Sequence, residues 1–266
     1  MNNYDFLDDL AFISDEEKDY MRKWFADSRV SFLKKIKMTE EEYDTLCVPY
    51  RLECERMAEI MKENGGRQNE LDIALKSNTA EIKYSAGGET LYRGFFCPSL
   101  IEDIVVGNCN RGRMCKADNP RATGTHYFDN HKKHIGTAQN GPKEYISYCG
   151  NKSLGLQYCG GELLEIAECE YDDAGRILTY IRALCDAHNN SVTEYNKETY
   201  TYTEGKMIVE WSRYNPPVSL LSVNKYVFAV ENGYLTEYVV EISDLEDISG
   251  EPLEGRTYKV KRKRKI

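Results

Sequence analysis

The stretch that decides the fold is "GELLEIAECEYDDAGRILTYIRALC", residues 161–185. Apolar and polar residues alternate along both of its halves, which is the period of a half-buried β-strand. Between the halves, "DDAG" (172–175) has the composition of a type I turn closed by a glycine in the left-handed region. Strands joined by so short a loop are antiparallel neighbours, because parallel strands need a long crossover. The stretch therefore predicts a β-hairpin.

The alternating pattern continues on both sides of this hairpin. The further predicted strands are "EYISYC", "SLGLQYC", "VTEYNKETYTYT", "KMIVEWSRY", "KYVFAVE" and "GYLTEYVVEIS". "VENGYL" (230–235) carries the Asn-Gly pair of a type I′ turn, and Gly205 lies between two other alternating runs. The pattern predicts a long, mostly antiparallel meander of about eight to ten strands, open or curled toward a barrel.

Before residue 80 the apolar residues recur with the period of an α-helix. Ser14–Glu17 and Thr39–Glu42 each match a capping box, which marks a helix start. "NGG" (64–66) ends the second helix, "NELDIALKSN" (69–78) predicts a third, and Pro49 is expected to kink or split the second. The predicted α+β organisation is a helical segment over 1–80, an antiparallel β domain over 81–250 and a basic tail over 251–266.

Composition and charge narrow the class of protein. The net charge is −9 over 266 residues, which disfavours nucleic acid as a partner except at the basic tail "KVKRKRKI". That tail could bind phosphates, fold back on the protein or remain solvated. No secretory signal and no run of roughly 18 apolar residues is evident, so we expect no membrane partner. Nine cysteines without a CxxC motif are typical of reduced thiols, and we expect a cytoplasmic protein.

The predicted hairpin tips are similar to one another. "YDDAGRILTY" (171–180), "YTEGKMIVEW" (202–211) and "VENGYLTEYV" (230–239) share an acidic turn, a glycine and a returning alternating strand. "YFDNHKKHIG" (127–136) resembles them without the glycine at its tip. Over 125–241 this pattern resembles the tyrosine–aspartate (YD) repeats of bacterial Rhs-type proteins. The resemblance implies a shell or scaffold rather than catalysis, although those proteins carry many more repeats.

A second resemblance covers residues 69–96, where two predicted elements lead into "YRG". This arrangement resembles the entry to ADP-ribosyltransferases of the arginine–serine–glutamate class. The resemblance implies that Arg93 grips the phosphates of NAD as a bidentate cation. The matching serine would be Ser147, which lacks the family's Ser-Thr-Ser pattern. The Glu-x-Glu pair would be Glu168 and Glu170, with Glu170 as the catalytic glutamate.

Three further groups of residues are candidates for binding. His126, His131 and His134 are either a metal site or exposed turn histidines, and we expect the latter because lysines lie between them. A segment at 108–124 is expected to be an exposed basic loop; its cations are Arg111, Arg113, Lys116 and Arg121. Aromatic residues are expected on one broad sheet face, partly covered by the helices; they are Tyr200, Tyr202, Trp211 and Tyr214.

The sequence contains no P-loop, G-x-S-x-G, G-x-G-x-x-G or H-E-x-x-H motif. The favoured function is therefore a non-enzymatic cytosolic protein of the immunity or accessory type, binding another protein without a cofactor or metal. Its surface would be the tyrosine-rich sheet face and the basic loop. The alternative is an NAD-dependent ADP-ribosyltransferase.

Overall fold

The computed structural model describes residues 14–87, 96–105, 112–139, 141–243, 252–260 and 264. Three helices come first: α1 (Asp15–Ile36), α2 (Glu40–Asn64) and α3 (Gln68–Asn78). The predicted capping boxes are present, since Ser14 caps α1 with Glu17 and Thr39 caps α2 with Glu42. Each pair satisfies backbone N–H groups that a helix start leaves without intrahelical partners.

The rest of the described chain is dominated by one sheet of thirteen strands that is not closed into a barrel. The strands are β1 (Glu81–Ala86), β2 (Arg113–Cys115), β3 (Ala122–Phe128), β4 (His134–Gln139), β5 (Lys143–Cys149), β6 (Lys152–Cys159), β7 (Glu162–Tyr171), β8 (Ile177–Asp186), β9 (Ser191–Thr203), β10 (Lys206–Asn215), β11 (Leu220–Glu231), β12 (Tyr234–Ile242) and β13 (Thr257–Lys259). From β3 to β13 each strand pairs antiparallel with its neighbour in sequence, and β1 lies between β3 and β2. The predicted α+β meander is confirmed.

The hairpin turns have the predicted chemistry. At the tip between β7 and β8, Gly175 donates its N–H to the carbonyl oxygen of Asp172 at 2.9 Å and has φ +78°. At the tip between β11 and β12, Asn232 and Gly233 have φ values of 52° and 76°, as a type I′ turn requires. These positive values explain why glycine or asparagine stands at each tip.

Helix α2 covers one face of the sheet, which we call the helical face. Its core contains Tyr43, Cys47, Cys54, Met57 and Met61 packed on apolar side chains of the central strands. Polar contacts add to this packing: the hydroxyl of Tyr43 donates to the carbonyl oxygen of Ser219 at 3.1 Å and accepts from the backbone N–H of Leu221 at 2.6 Å. Because apolar side chains occur every three or four residues, α2 buries one stripe along its whole length.

Helix α3 approaches the same face at Gly136 in β4. A Cβ atom at this position would lie 2.9 Å from the carbonyl oxygen of Glu144 and 3.0 Å from a methyl carbon of Leu75. Leu75 is the buried residue of α3. The absence of a side chain at position 136 therefore permits α3 to lie close to the sheet.

A second core occupies the opposite face, which we call the far face. It contains Leu100 and Ile101, from a segment with a single π-helical turn (Ile101–Val105), packed over Tyr200, Trp211 and Phe228. The chain end also reaches this region. The guanidinium of Arg264 lies 3.5 Å from a carboxylate oxygen of Asp103 and 3.4 Å from the carbonyl oxygen of Cys97.

Several expectations need correction. The expected split of α2 does not occur, since the helix runs unbroken through Pro49, where packing of its stripe on the sheet outweighs the lost backbone donor. Part of the expected loop at 108–124 is instead the edge strand β2, paired with Tyr84–Ala86 of β1. For the basic tail, one of the three alternatives left open by the sequence is observed: β13 pairs with β12, and the carbonyl oxygen of Arg264 accepts from the backbone N–H of Leu235 at 3.0 Å, so this part of the tail folds back on the sheet. Among the described helices, none is long and apolar enough to cross a lipid bilayer.

Candidate functional site

One surface depression lies on the helical face, beside the strip of sheet that α2 covers. Its floor is a row of side chains that face one another across five strands. The row runs from Ser147 through Leu154, Glu168 and Ile181 to Lys197. Glu53 and Arg56 of α2 form its wall, and the cavity has a volume of about 610 Å³. Lys152, Glu170 and Thr179 line it further toward the hairpin tips.

Arg56 joins the wall to the floor. Its guanidinium donates two parallel hydrogen bonds to Glu168, at 2.8 and 2.7 Å, and another to Glu53 at 2.8 Å. The hydrogen bonds to Glu168 raise the pKa of Arg56, so the side chain stays charged. A bidentate pair of this kind fixes both side chains, and it anchors α2 to β7 at the rim of the cavity.

A second cavity of about 700 Å³ lies next to the first, between α3 and β5. Its walls combine apolar side chains, among them Leu71, Leu75, Ile135 and Leu156, with polar ones that include Asp129 and Lys133. The ammonium of Lys133 lies 4.2 Å above the ring of Tyr148, close enough for a cation–π contact. The hydroxyl of Tyr148 donates to the carbonyl oxygen of His134 at 2.8 Å, which fixes the ring.

The two cavities adjoin, because Ser147 and Tyr148 line both. We call the joined depression the cross-strand groove. Its α3 end contains apolar side chains of α3 and β6, whereas its Arg56 end carries three cations and three carboxylates; these are Arg56, Lys152, Lys197, Glu53, Glu168 and Glu170. The exposed thiol of Cys149 also lies in it. Such a groove can hold an apolar side chain at one end and polar backbone along the other.

The far face carries a different feature, a buried carboxylate at Glu198. Ser99 and Tyr200 donate their hydroxyl protons to it, and the backbone N–H of Leu100 donates at 3.2 Å. Burial raises the pKa of Glu198 to about 7, because a charged carboxylate loses its water on burial. These contacts fasten the segment containing the π-helical turn to β9. This is an anchoring arrangement, since the carboxylate is enclosed by the segment that it holds.

Arg182 lies beside this anchor and is also buried. Its Nε atom lies 3.0 Å from a carboxylate oxygen of Glu165, and Nη1 lies 3.7 Å from Glu102. Burial lowers the pKa of Arg182 to about 9, and the guanidinium remains protonated at neutral pH because the neighbouring carboxylates favour the charged form. Burial also raises the pKa of Glu102, and the negative charge of nearby Glu194 raises it further.

The expected aromatic face needs correction. Trp211 and Tyr214 are three residues apart on one strand, so their side chains point to opposite faces of the sheet. Tyr200 and Trp211 are buried in the far-face core, and Tyr202 is partly buried there. Tyr214 is buried under α2, with its ring 5.9 Å from that of Tyr50. These aromatic side chains build the two cores and do not form an exposed binding surface.

The other candidate residues are spread over the molecule. Ser147, Glu168 and Glu170 all line the cross-strand groove, whereas Arg93 and Arg111 lie outside the described residues. The remaining cations of the basic segment are exposed near the β2 edge of the sheet; they are Arg113, Lys116 and Arg121.

The histidines are not a set of exposed turn residues. His126 is fully buried, with its ring nitrogens 3.0 Å from the hydroxyl of Ser85 and 3.3 Å from that of Thr137. Burial lowers the pKa of His126 to about 4. His131 is exposed at the turn and His134 is partly buried. In the part of the chain that the structure describes, no group of three or more metal-binding side chains comes together.

Sequence reasoning missed Arg56, Tyr148 and Glu198. Arg56 meets Glu168 across 112 residues, so no local pattern marks the pair. Glu198 had a signal that could have been used: with Asn196 it forms a polar pair among alternating buried positions of β9.

Comparison of the chain with protein-family models, with curated proteins and with solved structures gives no match.

Proposed function

We propose that this chain is a non-enzymatic binding protein of the immunity or accessory type that holds an extended segment of another protein in the cross-strand groove. The observation that carries the proposal is the adjoining of the two cavities at Ser147 and Tyr148. At a strand spacing of about 4.8 Å, the floor row from Ser147 to Lys197 spans about 19 Å, which matches about six extended residues.

The chemistry of the groove indicates what such a segment would carry. An apolar side chain would enter the α3 end, where Leu71 and Leu156 are among the wall residues. Its backbone and polar side chains would meet the balanced charges around Arg56, since three cations face three carboxylates there. The exposed cations Arg113, Lys116 and Arg121 offer a second contact for an acidic part of the same partner.

We further propose a bacterial cytosolic setting. The eight cysteines that the structure describes form no disulfide with one another, which supports a reducing compartment. The bacterial assignment rests on the resemblance of the hairpin tips to YD repeats. The surface proposed to bind the partner is now the cross-strand groove, in place of the aromatic sheet face.

The test is selection of short peptides from a displayed random library, with binding then measured to two variants. Ser147→Trp places a large ring at the exposed junction of the two cavities and should weaken binding at least about tenfold. Thr201→Trp is the matched control, because Thr201 is an exposed residue of the same sheet that does not line the groove. Bound peptide should also protect the thiol of Cys149 from alkylation. Failure to select any peptide, or equal binding to both variants, would refute the proposal.

A second candidate function is ADP-ribosyl transfer from NAD. The observation that favours it is that Ser147, Glu168 and Glu170 line one cavity. Engagement of Glu168 by Arg56 weighs against it, because two hydrogen bonds hold the first glutamate of the predicted Glu-x-Glu pair away from a substrate and leave Glu170 alone for that role. The test is to incubate the protein with NAD and measure the release of nicotinamide. Release by the wild type that is abolished in Glu170→Gln would support this function, whereas no release by the wild type would exclude it in favour of binding.

A further inference from the structure

Helix α1 presents aromatic side chains to solvent. Tyr20 and Trp24, one helical turn apart, are 72% and 56% exposed. Among the described side chains of α1, Leu33 is the apolar residue that is buried against the body of the protein. Large aromatic side chains are the usual anchors of protein interfaces, and two of them that are more than half exposed on one helix present a surface for association.

The charges of α1 are divided along its length. Asp15, Glu16 and Glu17 occupy its first turn, whereas the exposed Lys34 lies in its last turn. Exposed charges of both signs, Lys23 and Asp27, flank Trp24. Two copies of α1 placed parallel would bring like charges together, whereas two antiparallel copies would bring opposite charges together.

We propose that α1 pairs antiparallel with α1 of a second copy of this chain, across a twofold axis near Trp24. A register in which Glu17 faces the second copy's Lys34 places Lys23 beside the second copy's Asp27. In that register the two Trp24 residues are offset by about 4.5 Å along the helix axis, at 1.5 Å per residue. An offset of this size along the axis lets the two indole side chains reach toward each other between the helices, where they can adopt the centroid separation of about 4.5–7 Å that aromatic pairs favour.

Twofold symmetry makes the surface self-complementary, since each contact occurs twice. The occupant is therefore another α1, and this dimer is independent of the cross-strand groove, whose wall is built from α2 and α3.

The first test is the solution mass of the full chain by sedimentation equilibrium. We expect about 61 kDa, twice the mass of the 30.7 kDa chain. Tyr20→Glu combined with Trp24→Glu should give the monomer mass with an unchanged circular dichroism spectrum. Leu52→Glu is the matched control, because Leu52 is 58% exposed on α2 and lies outside the α1 surface. A wild-type monomer at about 100 µM, or a dimer that survives the double substitution, would overturn the proposal.

Charge exchange tests the antiparallel arrangement itself. Lys23→Asp places an acidic group beside Asp27 of the second copy, and it should weaken dimerisation at least about tenfold. Adding Asp27→Lys to the same chain restores opposite charges across the axis and should recover the wild-type dissociation constant. An additive further loss in the double variant would contradict the antiparallel pairing.

Discussion

Substitution of Glu198 by glutamine should remove a pH dependence of stability that the wild-type protein shows between pH 4.5 and pH 7. The carboxyl of Glu198 is fully enclosed, and burial raises its pKa from the usual 4.5 to about 7. A group whose pKa is raised on folding contributes full stability below its unfolded pKa. That stability is lost as pH rises through the folded pKa, because folding then requires a charged group to leave water.

The magnitude follows from the difference between the two pKa values. A pKa of about 7 in the folded protein against 4.5 in the unfolded chain corresponds to about 3 kcal/mol. The wild-type free energy of unfolding should therefore include a contribution from Glu198 that falls by about 3 kcal/mol between pH 4.5 and a pH above 7. In Glu198→Gln this contribution is constant, because the amide does not titrate and its oxygen still accepts from the backbone N–H of Leu100.

The assay is urea denaturation of both proteins across this pH range, with the difference between their free energies plotted against pH. Taking the difference cancels groups common to both proteins, such as His126, whose lowered pKa acts in the opposite direction. Glu204→Gln serves as the control, since Glu204 is an exposed residue of the turn between β9 and β10. Hydrogen exchange at the amide of Leu100 reports the same anchor directly and should become faster as Glu198 ionises.

Parallel curves for the wild type and Glu198→Gln would refute the argument, because they would mean that the carboxyl titrates as it does in the unfolded chain. Should the glutamine variant fail to fold, hydrogen exchange in the wild type remains decisive. Protection of the amides of Leu100 and Ile101 that does not change between pH 5 and pH 8, beyond the intrinsic pH effect on exchange, would equally refute it.

Three other substitutions test the packing of the sheet, a buried hydroxyl and a buried histidine. Gly136→Ala should destabilise the protein by about 1–3 kcal/mol in thermal or urea unfolding, because the added Cβ meets strand backbone and α3, whereas Gly65→Ala has ordinary contact distances and should be tolerated. Tyr195→Phe should be neutral or stabilising by about 1 kcal/mol, since among the described residues its buried hydroxyl has no hydrogen-bond partner; Tyr158→Phe, which loses a 2.6 Å hydrogen bond, should destabilise. His126→Gln should reduce the loss of stability on acidification from pH 6.5 to 4, because the buried histidine stays neutral in this range whereas the histidine of the unfolded chain takes up a proton; an unchanged acid limb would contradict this.

The candidate site was predictable only in part. A resemblance in sequence predicted three residues of a site, Ser147, Glu168 and Glu170. The structure places all three in the cross-strand groove. Arg56, which joins the wall of the groove to its floor, was not predictable, because its partner lies 112 residues away. The groove exists only where α2 and α3 leave part of the sheet uncovered, and no short stretch of sequence encodes that placement.

The sequence by itself determined the local structure. Capping boxes at Ser14 and Thr39 began the first two helices, and turn residues such as Gly175 and Gly233 marked hairpins, because these interactions join residues within a few positions of each other. Short loops then required antiparallel neighbours, and the central meander followed.

Only the tertiary structure decided the rest. The insertion of β1 between β3 and β2, the burial of Glu198 under a distant segment and the opposite orientations of Trp211 and Tyr214 depend on which faces are covered and by what. The physical reason is that burial is a property of the assembled layers. The alternation of a strand determines which side chains share a face, but only the packing of helices and segments on the sheet decides which face is open to a partner.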